Sequence, residues 1–274
     1  MIQDLHCISF LSDFGLKDET VSVCKGLLLK NDVDLPVIDI SHEIEPFNII
    51  SGGWLLRGAL PFFPIGVHLA VVDPGVGTAR KILILETMRG DFLVGPDNGL
   101  LIPASSELGG IINCWSCPET QFHQSRISQT FHARDIMIPI VVTLLAMVDP
   151  TSKYDPMRLA DLVSFPAMPS FEKDSVNYGT VVHIDQFGSI RTNIPWDVGW
   201  KGNARFLHGA LQDQVLPIVG TFAEVPLGSP MVLEDSWGFL SIAVNRGKAV
   251  DVFPVNIGES VSVKMTMTQY DAER

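Results

Sequence analysis

The stretch "QTFHARDIMIP", residues 129–139, places a histidine, an arginine and an aspartate within four positions, at the mouth of a strongly apolar segment. An imidazole there can take up a proton, a guanidinium can stabilise a developing anion, and a carboxylate can orient either. The same residue types recur elsewhere: "SDFGLKD" offers Asp13, "VDPGVGTAR" offers Asp73 and Arg80, and "GPDNGLL" offers Asp97 and Asn98. Each has a local reading. Asp13 can cap a helix starting near Lys17, "PDNG" is a turn signature, and Asp135 suits the first turn of a helix. Taken together, the first three clusters follow expected strands and "TFHARD" precedes an apolar helix. Ligands of open α/β sheets bind beyond the carboxyl ends of the strands, so a common site is favoured over separate caps.

Several familiar chemistries lack their key residues. "GVGTAR" has Arg80 where a dinucleotide loop needs a third glycine for close helix–strand packing. No Walker A lysine, H-E-x-x-H or G-x-S-x-G motif occurs. "CWSC" (Cys114, Cys117) is a lone C-x-x-C without further ligands for a closed zinc site. A redox role would want a helix after it, which Pro118–Glu119 could start, but buried thiols are the favoured reading of all four cysteines. No metal site is expected.

The elements that must position these residues fall into two groups. "LHCISFL", "PVIDI", "VHLAVV" and "KILILET" read as strands, with "DETVSVCKGLLLKN" and "FNIISGGWLLRGAL" as intervening helices. Continuous apolar strands separated by helices predict a mostly parallel α/β sandwich covered on both faces, over residues 1–165. Near residue 149 the composition changes to a proline-rich, linker-like stretch. From 175 to 274 the short strands and frequent Gly and Pro predict a small antiparallel β-barrel. No internal repeat is legible. In this second domain Phe187 and Trp237 can stack on a flat ring, and Asp185, Ser189, Asn193 and Ser236 supply donors and acceptors. On that segment alone, ordinary turn chemistry is the favoured explanation.

The formal charge is −12, from 19 basic and 31 acidic residues, which argues against nucleic acid and anionic membranes as partners. The longest apolar run, "IMIPIVVTLLAMV", is 13 residues, short of a membrane span. "MIQDLHCISF" has no basic segment ahead of its apolar run, so no signal peptide is read there. A soluble, cytoplasmic protein acting on a small neutral or cationic compound is the expectation.

In order along the chain, "SDFGLKD", "DISHEI", "VDPGVGTAR", "GPDNGLL", "TFHARDI", "DQFGSIRTN" and "SWGFLSIAVNRG" resemble the S-adenosylmethionine (SAM) hydroxide adenosyltransferases, adenosine-forming SAM hydrolases related to the SAM-dependent fluorinase and chlorinase. The resemblance spans nearly the whole chain. It implies an N-terminal α/β domain, a C-terminal β-barrel, and a homotrimer with sites at the subunit interfaces. It places an Asp–Arg–His set on Asp73, Arg80 and His132, a ribose-binding carboxylate on Asp13, and methionine-binding groups on Asp185 and Ser236. The chain departs from the family pattern at Ala133 (usually Gly), at Ser189 (usually an adenine-contacting Asn) and at Asp235 (usually Asn). "KDETVSVCKG" also lacks the usual Tyr and Gly. These departures predict altered contacts at the substrate's edge, with the reaction retained.

The implied reaction is attack of water or hydroxide at the ribose C5′ carbon, releasing methionine as a neutral thioether. No general acid, metal or organic cofactor is required. Asp73 or His132 is the candidate base, with Arg80 holding Asp73 and stabilising hydroxide. Two alternatives remain: a halogenase on the same scaffold, and a non-catalytic SAM or adenosine sensor. Family comparison favours hydrolysis over halogenation, because His132 is present and only 14 residues separate Arg80 from Gly95.

Overall fold

The computed structural model describes residues 5–117, 127–146 and 148–266. The chain divides into two compact units, Met1–Pro166 and Ala167–Arg274.

The first unit is built on a seven-stranded sheet. Its strands are β1 (Cys7–Ser12), β2 (Val37–Ser41), β3 (Gly66–Val71), β4 (Ile82–Thr87), β5 (Phe92–Pro96), β6 (Ile111–Cys117) and β7 (Asp155–Pro156). They lie in the order β2-β1-β3-β5-β4-β6-β7. The first four in that order are parallel, and β4, β6 and β7 add antiparallel pairings. Every residue of β1 and β3 is buried, as strands covered on both faces require. Helices α1 (Thr20–Lys30) and α4 (Ile138–Leu145) supply one apolar layer, through Val21, Leu28, Ile140 and Val141. Helices α2 (Ile49–Ala59) and α3 (Ile102–Glu107) supply the other, through Leu56 and Ala104. The α/β sandwich expected from the apolar runs is therefore present, with a mixed sheet. β4 runs antiparallel to β5 because the four residues between them make a tight turn, too short for a crossover.

Strand geometry settles the reading of "CWSC". It lies on β6, and residues three apart on a strand point to opposite faces. Cys114 packs in the α2–α3 layer and Cys117 in the α1–α4 layer, so the two thiols cannot share a ligand. Burial pushes the Cys114 thiol up to about 11 and the Cys24 thiol up to about 12, which keeps both protonated. The helix expected from Pro118–Glu119 lies outside the described residues.

A polar network crosses the same sheet. Ser9 and His68 are directly paired across β1 and β3, and the Ser9 hydroxyl lies 2.8 Å from His68 Nδ1. His68 Nε2 lies 3.0 Å from Asp91 Oδ1, and Arg89 donates to both Asp91 oxygens at 2.7 and 2.9 Å. The Ser–His–Asp order is that of a hydrolytic triad, yet all three side chains are 0% exposed. No substrate reaches them, so the network is a structural clasp.

The second unit is antiparallel throughout its strand ladder. Its strands are β8 (Phe171–Lys173), β9 (Val176–Ile184), β10 (Ile190–Pro195), β11 (Asn203–His208), β12 (Val215–Pro217), β13 (Pro230–Glu234), β14 (Phe239–Val244) and β15 (Ser260–Thr266). The order is β12-β11-β15-β9-β10-β14-β13, with β8 paired on β9. An Ile218–Val232 bridge joins the two ends and nearly closes the sheet into a barrel. Val181, Phe206, Val232 and Ile242 fill it. Among the described residues, no helix is long and apolar enough to cross a membrane.

Candidate active site

Asp73 stands just beyond β3, and the chain turns sharply after it: Val76 N donates to Asp73 O and Thr78 N to Gly75 O. The turn returns Arg80 to Asp73. Arg80 Nε lies 3.1 and 2.9 Å from the two carboxylate oxygens, and Nη2 lies 2.6 Å from Oδ2. This fork is the geometry that a guanidinium provides and an ammonium does not. Both side chains are nearly buried, at 9% and 7% exposure.

Arg80 Nη2 also lies 2.9 Å from Nδ1 of the buried His132. A guanidinium only donates, so Nδ1 accepts and the neutral imidazole carries its proton on Nε2. Arg80 Nη1 is buried and makes no hydrogen bond among the described residues. Its N–H groups keep donor capacity, and an unsatisfied buried donor costs about 1–3 kcal/mol.

Two local devices bring His132 to this point. Residues Ala133–Met137 form a π-turn ahead of α4, a feature often found at functional sites. Gly77 has φ +76°, and a Cβ there would sit 2.5 Å from Gln129 O. The Asp73–Arg80 loop therefore lies directly against the segment that leads to His132. The neighbours of His132 have other partners. Arg134 forks onto Asp135 at 2.6 and 2.8 Å and lies over the Phe131 ring, and Asp135 also accepts from Ser128 N. Of the three titratable side chains in "HARD", the structure brings only the histidine to Asp73 and Arg80.

Asp13 lies at the tip of β1 and caps no helix, since α1 starts at Thr20 with Glu19 at its N-cap. Its Oδ2 accepts from Phe47 N at 2.8 Å. Burial pushes its carboxyl above the ordinary range; the Phe47 bond opposes this and the Asp73 charge adds to it. Asp97 and Asn98 serve the frame: Asp97 accepts from Val163 N, and Asn98 bonds Val72 O and Leu100 N.

Sequence reading missed two residues here. Phe47 has φ +67° and is 68% exposed, a strained conformation for a bulky residue, held by the bond to Asp13 and by Asn48 capping α2. Nothing in "EPFN" signals it beyond the Asn cap. His42 of "DISHEI" fixes the Asp13 turn, with Nδ1 2.6 Å from the Ser12 hydroxyl and its carbonyl accepting from Gly15 N at 2.7 Å.

In the barrel unit, Asp185, Phe187, Ser189, Phe222, Arg246 and Lys248 line a groove of about 520 Å³. A short repeat that sequence reading missed shapes this region. "DQFGS" (185–189) joins β9 to β10, and "DSWGF" (235–239) joins β13 to β14. In each, the aspartate Oδ1 accepts from the N–H two and four residues on, at 2.8–2.9 Å. In each, the glycine has positive φ, and an aromatic side chain, Phe187 or Trp237, is presented outward. The signal was the shared D-x-aromatic-G spacing, too short to register as a repeat. Ser236 sits exposed in the second loop. One face of Trp237 is covered by Arg191, whose guanidinium carbon lies 4.1 Å from the ring centroid. Asn193 is buried, with Oδ1 accepting from Thr180 N at 2.7 Å and Nδ2 donating to Met168 O at 2.8 Å, so its amide braces the barrel.

Fold and site define a class: an α/β unit that carries a nearly buried carboxylate–guanidinium–imidazole cluster beyond its strands, followed by a β-barrel with an open groove. Comparison with known proteins gives the family. The N-terminal and C-terminal domain models of the SAM hydroxide adenosyltransferases match residues 8–153 and 179–262. An (R)-S-adenosyl-L-methionine hydrolase of Salinispora tropica is 36% identical over 258 residues, covering 93% of this chain and 97% of the relative. A fluorinase of Actinopolyspora mzabensis is 30% identical, covering 94% and 96%. The crystal structure of an uncharacterized conserved protein from Thermotoga maritima superposes with a TM-score of 0.84 at 32% identity, covering 94% and 99%. The chain belongs to the SAM hydroxide adenosyltransferase family.

Proposed function

We propose that this protein hydrolyses SAM to adenosine and L-methionine. The observation that carries the reading is the Asp73–Arg80–His132 cluster with its unsatisfied Arg80 Nη1. Hydroxide, or water that gives its proton to the Asp73 carboxylate, is held by Arg80 and attacks C5′; the C5′–S bond breaks, and its electron pair leaves on sulfur as a neutral thioether. No acid is needed for the leaving group, and no cofactor enters. Asp73 fixes the guanidinium, and the guanidinium in turn sets the His132 tautomer. With its proton on Nε2, His132 acts first as an oriented donor; serving as base requires Nδ1 to give up its bond to Arg80. Asp13 accepts ribose hydroxyls, Asp185 and Ser236 take the methionine end, and Phe187, Ser189 and Trp237 border the nucleoside. The Salinispora relative's name specifies the (R) form at sulfur, and we carry that epimer over as the substrate. The reading includes a cytoplasmic homotrimer with sites shared between neighbouring chains; free buried thiols fit a reducing compartment.

Purified protein incubated with SAM should release adenosine and methionine in equal amounts, and sedimentation should show a trimer. The similarity to a fluorinase makes halogenation the second reading. With chloride present, accumulation of 5′-chloro-5′-deoxyadenosine in place of adenosine would select it. Binding of SAM without turnover would leave only a sensor.

Asp13→Asn should weaken SAM binding by roughly 10–100-fold, the scale of one or two charge-assisted bonds, and slow the bound-state step less. Because the Asp13 carboxyl is raised by burial, wild-type affinity should fall as pH drops toward that raised value, and the variant should lack this dependence. Calorimetry with an inert SAM analogue reads both; equal affinities would make Asp13 a structural anchor for Phe47.

A further inference from the structure

Asp185 and Asp235 occupy equivalent places in the twin loops, but their second carboxylate oxygens differ. Asp235 Oδ2 is buried and accepts no hydrogen bond among the described residues. Asp185 Oδ2 lies 3.9 Å from Arg191 Nη2, beyond hydrogen-bond reach, and both side chains keep 19% exposure. Each is supported from elsewhere. Asp185 is held by the two loop N–H groups on its Oδ1. Arg191 lies over the Trp237 ring, its guanidinium carbon 4.1 Å from the centroid, a cation–π contact with the second loop. The neighbouring His183 is pushed down to about 4, first by burial and then by the Arg191 charge, so it adds no third charge at neutral pH.

A fixed negative group and a fixed positive group thus stand side by side as a long ion pair with no hydrogen bond between them, so each keeps hydrogen-bonding capacity for a ligand. The ligand that matches them carries an ammonium and a carboxylate on one carbon, as the α-carbon of an amino acid does. We propose that Arg191 is a specificity residue that binds the α-carboxylate of the substrate's amino-acid end while Asp185 takes the ammonium. This rests on the SAM reading above and adds a residue to it. Trp237 then has a second task, since it pins the guanidinium and lowers the entropy lost on binding.

The test compares wild-type, Arg191→Met and Arg191→Lys proteins on SAM and on decarboxylated SAM, which keeps the sulfonium, the adenosine and the amine but lacks the carboxylate. Wild type should prefer SAM by about 10–100-fold in kcat/KM, the scale of one charge-assisted contact. Arg191→Met should bring that ratio to within about threefold of unity, chiefly through KM for SAM, as loss of uniform binding does. Arg191→Lys should recover part of the preference, because the charge remains while the planar fork is lost. An equal loss on both compounds, which a purely structural role would produce, overturns the assignment, as does an unchanged ratio. A wild-type protein that releases adenosine from neither compound overturns the hydrolysis reading itself, and this assignment with it.

Discussion

Arg80→Ala should lower adenosine release at least about 100-fold, the range seen when one preorganised donor to a reacting oxygen is removed. Three things are lost together. The Nη1 donors that would hold the nucleophile disappear, the Asp73 carboxylate keeps its burial without its counter-charge, and His132 Nδ1 loses the donor that sets its tautomer. Arg80→Lys should restore little, because a single ammonium cannot span both Asp73 oxygens and the imidazole. His132→Ala should fall in the same range as Arg80→Ala. The double variant should be no slower than the worse single one, since groups that act as a unit are strongly non-additive. Single-turnover chromatography on folded variants measures all of this. Near-normal release from Arg80→Ala would remove the cluster from the reaction.

Asp91→Ala should destabilise the α/β unit by about 3–5 kcal/mol, the cost of leaving a buried charge partner uncompensated. Asp91 is 0% exposed and accepts from Gly66 N, the Thr87 hydroxyl, His68 and the Arg89 fork. Its loss strands His68 in the core and leaves Arg89 without its anion. For a unit of this size the melting midpoint should drop by roughly 6–20 °C. The pH dependence has a definite sign. Burial opposes ionisation of Asp91, but the hydrogen bonds from His68 and Arg89 outweigh it and hold the carboxyl well below the ordinary range. A depressed carboxyl stabilises the fold fully above the ordinary aspartate value of about 3.9, and that stability is lost as pH falls below it. Asp91→Asn should therefore flatten the acid limb of the stability profile while lowering the plateau. Calorimetry across that range decides: a variant with the wild-type slope would mean that other carboxylates carry the acid transition.

The two architectures were legible because their signals are local. Continuous apolar runs mark strands buried on both faces, and Gly- and Pro-punctuated short strands mark a barrel. "VDPGVGTAR" places Asp73 and Arg80 in one tight turn, so their pairing needs only seven residues of chain. The resemblance named His132 as their partner, and the structure brings it there from 52 residues away.

Other features depended on what meets across the fold. By residue type alone "HARD" offers three candidates, of which the resemblance selects His132; the π-turn brings that side chain to Arg80 while Arg134 and Asp135 pair with each other. Asn193 reads as a donor and acceptor in sequence, and in the fold β9 and the Met168 carbonyl engage both ends of its amide. "CWSC" reads as buried thiols in sequence, and β6 supplies the reason by turning its sulfurs to opposite faces. Phe47 and Arg191 drew no attention as residue types, because one is marked by a strained φ and the other by where Trp237 and Asp185 happen to stand. The sequence by itself determined which segments become strands, helices and turns, because those choices are settled within a few residues by burial period and backbone preference. Only the tertiary structure decided which polar groups keep capacity for a ligand, because a side chain's donors and acceptors are claimed by whatever neighbours strand register brings within about 3 Å.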